Sequence, residues 1–316
     1  MSEASVTLNE TPAVVKPGRP ASAWRTGWKK FSANRFALIG LAVMVFFLLV
    51  AFAAPLIAPY NPSKIDMMLP NLPAGSGHHL LGTDELGRDI FSRLVYSSQV
   101  SLLVGFTVAF AAVLIGTLIG AISGYFGGFV DTCFMRIVDV MNSIPLLFLN
   151  ILVLAIFGNK FYYMILVLSL TSWMGVARLV RGTFLQLREM QYVEAAKAIG
   201  VTDWGIIFRH LLRNASAPII VNATLMVGGA ILTESALSYL GLGIQIPQTS
   251  WGQMLSNSQQ FMLIDPMQAV YPGLCILIVV LAVNFIGDGL RDVLDPRQRA
   301  MLSPRRLERW RKRFLK

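Results

Sequence analysis

Ala37 to Ile57 form 21 consecutive positions without a charged side chain, and Val100 to Tyr125 form another 26. At about 1.5 Å of rise per helical residue, each run can cross a hydrocarbon core of about 30 Å. Backbone in that medium must satisfy its own hydrogen bonds, which leaves helix as the form such runs take. Further apolar stretches cover Ile137–Phe157, interrupted near its start by Asp139, then Phe161–Ala177, Ala217–Leu232 and Val270–Ile286. With 14% charged residues against 55% apolar ones, the chain has too little charge to cover a soluble surface of its size. The expected fold class is an all-α polytopic membrane protein with six transmembrane helices, the fourth to sixth running a turn or two past these limits.

The net charge of +10 raises the question of nucleic acid, but its distribution answers differently. Counted between the six runs, Lys and Arg number 6, 1, 6 and 10 in one set of alternating compartments and 3, 1 and none in the other. The positive-inside rule therefore puts both termini and residues 190–213 in the cytoplasm. Basicity here reports topology, with a minor contribution to anionic-lipid contact from Arg305–Lys316. Cys133 and Cys275 sit in or beside spans, so no disulfide framework is expected. No cleaved signal peptide is evident, because the first apolar run is longer than a usual h-region and follows a polar leader, although Ala51-Phe52-Ala53-Ala54 resembles a cleavage site.

The chain divides into a cytoplasmic tail with an interfacial helix (1–35), a first transmembrane helix and external loop (36–96), a main transmembrane domain (97–290) and a basic cytoplasmic tail (291–316). The first 22 residues are polar and aperiodic, with the composition of a disordered segment. Trp24, Trp28 and Phe31 alternate with Arg25, Lys29 and Lys30, as in a helix lying at a lipid interface. Prolines 59, 62, 70 and 73, with Pro55 just before, predict an extended external loop. Thr83 or Asp84 can then cap a short helix whose charges pair locally. Gly116, Gly120 and Gly124 share one helix face, which allows close packing either within one subunit or between subunits.

Between the fourth and fifth runs lies a charged island, Tyr192-Val193-Glu194-Ala195-Ala196-Lys197-Ala198-Ile199-Gly200. Its alanines favour helix, Glu194 and Lys197 are spaced to pair, and Gly200 can supply a left-handed stop. Asp203 can cap a second short helix carrying Trp204, Ile206, Ile207, Leu211 and Leu212. An amphipathic elbow on the polar side of a membrane protein needs a docking partner. Glu194, Ala195, Ala196, Lys197, Gly200 and Asp203 are the candidate docking residues. An ATPase is the expected partner, chiefly on the family resemblance given below, and an amphipathic helix lying on lipid is the alternative. The chain has no phosphate loop of the G-x-x-x-x-G-K-[ST] form, no H-E-x-x-H and no G-x-S-x-G. Energy is therefore expected from an ion gradient or from a separate chain. His78 and His79 lack obvious further ligands, so no metal site is predicted there.

Glu234 falls in the outer half of the fifth span, where a free carboxylate costs a few kcal/mol. It either lines a path or gate or makes a helix-packing hydrogen bond, and packing is preferred. Asn222 is similarly placed. Asp288 and Asp292, four apart beside Arg291, are expected to pair with the basic tail or the elbow rather than to catalyse.

The elbow resembles the EAA loop of ABC importer permeases at Glu194, Ala195, Ala196, Gly200 and Leu212. It departs at His210, where that family often has an aliphatic residue, and at Arg213, where it often has proline; Pro218 follows five residues later. Leu81–Arg93 is similar to the L-G-T-D-x-L-G-R-D-x-x-S-R signature of the dipeptide, oligopeptide and nickel importers. Ala236–Pro247 with Trp251–Leu255 is similar to L-S-F-L-G-L-G-x-Q-x-P…W-G-x-M-L, with Tyr239 for the usual Phe. Asn284–Pro296 is similar to N-x-x-G-D-x-L-R-D-x-L-D-P.

The resemblance implies a type I ABC importer permease fold and a bacterial-type inner-membrane location. It implies a second, related permease as heterodimer partner, two cytoplasmic ATPases that bind ATP and Mg, and an external solute-binding protein. No cofactor is expected on this chain, and nucleic acid is not an expected partner. Gln245 and Trp251, within the second signature, join Glu234 and Asn222 as candidates for the path or gate. Peptides are the expected substrate. Glutathione or nickel complexes are the alternatives within the family, and an ion-gradient secondary transporter is the alternative outside it.

Overall fold

The computed structural model describes residues 23–158, 160–245 and 247–294. The polar leader at 1–22 and the basic tail from 295 onward, including the end of the closing signature, lie outside the described residues. A short helix, α1 (Ala23–Phe31), leads to α2 (Arg35–Phe52), whose first amides donate to the Asn34 side chain. A single turn, α3 (Ala54–Ile57), ends the first span. There follow α4 (Ile90–Phe126), α5 (Gly128–Asn142), α6 (Leu146–Phe157), α7 (Phe161–Arg188) and the small α8 (Gln191–Ala198). The last three are α9 (Asp203–Tyr239), α10 (Trp251–Ser258) and α11 (Met267–Leu294). Among the described residues there is no β-strand, only an isolated bridge between Thr83 and Asp89.

Five helices (α2, α4, α7, α9 and α11) are long and apolar enough to cross a membrane, and the α5–α6 pair makes a sixth if counted as one span. The expected third span, Ile137–Phe157, is corrected here: α5 and α6 meet at 83°. Pro145 supplies the reason, since it has no N–H to donate and disfavours the helical region at Ile144. Arg178 donates to Asp139 at 2.7 Å and Arg181 donates to both oxygens of Asp131 at 2.5 and 2.6 Å, so α5 is tied down to α7 rather than free to continue straight.

The most extensive helix contact is α4 on α7. A Cβ added at Gly116 would stand 2.6 Å from the Trp173 carbonyl oxygen, and one at Gly120 would stand 2.5 Å from that of Ala177. Gly124 meets the Arg181 carbonyl and Phe184 in the same way. The glycine stripe thus packs within this chain. Lipid offers no hydrophobic drive for helix association, so the missing side chains let the backbones approach. On the other flank, Gly40 of α2 packs against Ala282 and Phe285 of α11.

The first loop is not extended. It folds into a cap over one end of the bundle, here called the cap end. Thr83 Oγ1 donates to the Leu69 carbonyl at 2.5 Å and accepts from Leu72 N at 2.9 Å. Ser63 reaches the Pro247 carbonyl at 2.8 Å. The short helix expected after Thr83 is replaced by a tight turn with Gly87 at φ +71°, where Asp66 backbone leaves no room for a side chain. Asp89 is the actual cap, accepting from Ser92 N at 2.7 Å, so α4 starts ten residues before the apolar run and carries buried Arg93, Ser97, Ser98 and Ser101 into the core.

Candidate functional site

At the other end of the bundle, α8 lies with Val193 and Ala196 buried among Phe184, Ile206, Ile207 and Leu211. Glu194, Ala195, Lys197 and Ala198 face outward. Its end is a Schellman motif: Gly200 N donates to the Lys197 carbonyl at 3.0 Å, Val201 N to the Ala196 carbonyl at 3.1 Å, and Gly200 takes φ +82°. The predicted stop is therefore present.

Three details of the expected elbow are corrected. Glu194 and Lys197 form no ion pair among the described residues; the Lys197 ammonium instead sits 5.7 Å from the centre of the Tyr125 ring. The helix cap is Thr202, whose Oγ1 accepts from Gly205 N at 3.3 Å. Asp203 turns its carboxylate to the Tyr125 hydroxyl, which donates at 2.5 Å. Finally, the second helix does not stop near Leu212. It runs through a π-helical stretch at Ile206–Leu211, with Leu212 N bonded to the Ile207 carbonyl, straight into the fifth span. His210, where the motif departs from its family, lies in this stretch, and Arg213 lies just beyond it.

Tyr125 collects further contacts at the end of α4. Arg188 donates to its carbonyl at 3.2 Å, and Phe126 meets Trp204 at 6.2 Å between ring centres. Trp204 in turn stacks on Phe208 at 5.8 Å. The elbow is thus a rigid knuckle built from α8 and the root of α9, seated on the tip of α4.

Glu234, near the cap end, is fully buried. Its Oε1 accepts from Ser238 and Ser250, both at 2.7 Å, and its Oε2 from Ser235 at 3.4 Å and Ser101 at 3.5 Å. Trp251 is equally buried, with its indole N–H on the Leu94 carbonyl at 3.2 Å and its ring edge on Phe47. Both side chains are enclosed by packing within this subunit. Gln245 is exposed and donates to the Gly241 carbonyl of its own loop at 3.2 Å. Asn222 lines a cavity of about 450 Å³ with Leu179, Pro218, Arg291 and Leu294. Asp292 accepts from Asn34 at 3.3 Å; neither it nor Asp288 pairs with the elbow among the described residues.

A family model described as a binding-protein-dependent transport system inner membrane component matches residues 116–300, over half of the chain. The chain belongs to that family.

A second model, the N-terminal transmembrane domain of oligopeptide transport permease C, matches residues 22–74 of this permease. It is 42% identical over 284 residues to a dipeptide transport system permease of Alkalihalophilus pseudofirmus, covering 88% of this chain and 91% of the relative. It is 40% identical over 279 residues to an oligopeptide transport system permease of Escherichia coli K12, covering 88% and 92%. A glutathione transport system permease of Escherichia coli O6:K15:H31 is 39% identical over 291 residues, covering 92% and 95%. Among solved structures, an inward-facing methionine ABC transporter superposes with a TM-score of 0.53 at 20% identity, over 64% of this chain and 96% of that one. The permease therefore has the ABC importer permease fold and is a multi-pass inner-membrane protein.

The sequence reading of the permease missed Tyr125 and Arg188. A tyrosine closing an apolar run looks like an interfacial anchor, and only the folded chain shows its hydroxyl aimed at Asp203. The cap-end cluster was half visible. Asp84 accepts from Arg88 at 2.7 Å and from Arg93, all three buried, and the Arg88 pairing was the local one expected.

Proposed function

We propose that this permease moves peptides into the cytoplasm as one half of an ABC importer pathway, with energy entering at α8. The single observation that carries the proposal is the outward face of α8, a short helix held rigid by its Schellman stop and a buried apolar underside, offering Glu194, Ala195 and Lys197 to a partner. Relatives named for dipeptide and oligopeptide transport, at 42% and 40% identity, support the substrate class. The charge bias supports a cytoplasmic elbow and an external cap. The remaining parts follow from the family: a related permease as heterodimer partner, two ATPases that hold ATP and Mg, and a binding protein delivering substrate to the cap end.

In this scheme a closing ATPase dimer pushes on α8, and only a stiff elbow can pass that displacement to the membrane helices. The docking residues are Glu194, Ala195, Lys197 and Gly200, with Ala196 fixing the helix from beneath. A second reading, glutathione as the cargo, is favoured by the relative at 39% identity. The cap, α10 and the residues around Asn222 do not separate the two substrates.

The test is co-purification. Glu194→Lys reverses the exposed charge, and Gly200→Asp forces a side chain into a left-handed conformation at about 1–2 kcal/mol. Both variants should insert normally, lose ATPase from the purified complex and lose uptake. Wild-type amounts of ATPase with unchanged uptake would overturn the proposal.

A further inference from the structure

Two helices of the permease, α4 (Ile90–Phe126) and α9 (Asp203–Tyr239), are each 37 residues long and run the full height of the bundle. They are fastened to each other at both ends. At the elbow end the Tyr125 hydroxyl donates to Asp203 at 2.5 Å. At the cap end Ser101 of α4 donates to Glu234 of α9, and the same serine oxygen accepts from Trp251 N of α10 at 3.3 Å. Between these ties Gly105 packs directly on Ile231 and the Val227 carbonyl. Held this way the pair is coupled at both ends, and within α9 the π-helical stretch Ile206–Leu211 and Pro218 are the departures from regular α-helix that the end ties bridge.

The elbow reaches this pair by two routes. One is covalent, through the root of α9. That route contains the π-helical stretch Ile206–Leu211, a local departure from α-helical bonding just above Asp203. The other is through space, from Lys197 over the Tyr125 ring and from Asp203 to the Tyr125 hydroxyl. Tyr125 is itself 8% exposed and braced from behind by Arg188 on its carbonyl. Without the hydroxyl, α4 would feel the elbow through the Lys197 ammonium over the ring and through contacts such as Phe126 on Trp204, which are less directional than a hydrogen bond to a carboxylate.

We infer that Tyr125 is a positioning residue for energy coupling: its hydrogen bond to Asp203 locks the elbow to α4, so that α4 and α9 move as one body when the elbow is displaced. This inference rests on the reading of α8 as the ATPase dock. It concerns the step after docking, and the two can fail separately.

The experiment uses the complete complex in proteoliposomes, with both permeases, both ATPases, the binding protein and a labelled peptide. Tyr125→Phe removes one hydroxyl and keeps the ring that faces Lys197. ATPase content should match wild type, while peptide imported per ATP hydrolysed should fall about ten-fold, the effect of one lost hydrogen bond to a charged group. Asp203→Leu should give a loss of similar size, and the double variant should be no worse than either single one, since both delete the same bond. Losses that multiply in the double variant would overturn the inference, as would an unchanged import-to-hydrolysis ratio in Tyr125→Phe. Both of these results leave docking at α8 standing. Absence of ATPase from the wild-type preparation would overturn the docking reading, and this inference with it.

Discussion

Ser250 Oγ lies 2.7 Å from Glu234 Oε1, and the same hydroxyl oxygen accepts Gln253 N at 3.2 Å to cap α10. The carboxylate thus orients the cap of the helix that closes the bundle beside α4 and α9. Glu234 is a fastening residue, with hydroxyl donors from three segments of the chain and no basic partner among the described residues.

Glu234→Ala should therefore cost at least about 2 kcal/mol, because several buried hydroxyls lose their acceptor together. Thermal unfolding in detergent measures it. Glu234→Gln, which keeps one acceptor oxygen, should cost less and leave the ratio of cationic to neutral peptide uptake unchanged. Selective loss of cationic peptides would show that the carboxylate meets substrate after all.

The glycine stripe gives an internally controlled comparison. Gly120→Ala places a methyl 2.5 Å from the Ala177 carbonyl oxygen, so α4 and α7 must part, at about 1–3 kcal/mol by the usual cost of overpacking. Gly182→Ala on α7 meets nothing within 4 Å and should be neutral or stabilising by up to about 1 kcal/mol. Melting temperatures of the two variants should move in opposite directions or leave Gly182→Ala unmoved; equal losses would refute the packing assignment.

Asp84 gathers Arg88 Nε at 2.7 Å, Arg93 and two backbone amides at 2.9 Å, almost out of solvent. Removing the acid leaves buried Arg93 without its carboxylate and Arg88 with Glu85 alone, for which about 3 kcal/mol is the expected cost. Asp84→Ala should open the cap locally and expose residues 60–90 to protease while the spans stay protected. Wild-type protection of that loop would count against the cluster as the cap's anchor.

Glu85, beside this cluster, has its carboxyl raised above the ordinary glutamate value, first by burial and then by the charge of Asp84. An acid whose folded pKa is raised binds its proton more tightly when folded. Its contribution to cap stability is fullest below the ordinary glutamate pKa and is lost as pH rises through the raised value. Hydrogen exchange in the cap, corrected for intrinsic rates, should report a tighter cap at the acid end of that window, and Glu85→Gln should flatten the slope. A cap that tightens as pH rises through the same window would contradict this assignment.

Helix existence was legible because long uncharged runs leave the backbone one choice, and Gly200 was legible because a left-handed stop has a residue signature. Two kinds of feature were not. The α5–α6 bend hides inside an apolar run, where Pro145 breaks the helix and Asp131 and Asp139 meet Arg181 and Arg178 across the gap. The joints at Tyr125 and Glu234 use partners far apart in sequence, Asp203 at a separation of 78 and Ser101 at 133. No local pattern announces such pairs. Pairing of Glu194 with Lys197 failed for the converse reason: correct spacing permits an ion pair, but the Tyr125 ring offered the ammonium a competing seat.

The most direct measurement is uptake of a labelled peptide into proteoliposomes holding the permease pair, with binding protein outside and ATP inside, assayed with and without the ATPase chains. The expected result is uptake only when the ATPases and ATP are both present, and its loss in Glu194→Lys. Uptake without ATPases, driven by an imposed ion gradient, would make this chain a secondary transporter and contradict the role given to α8.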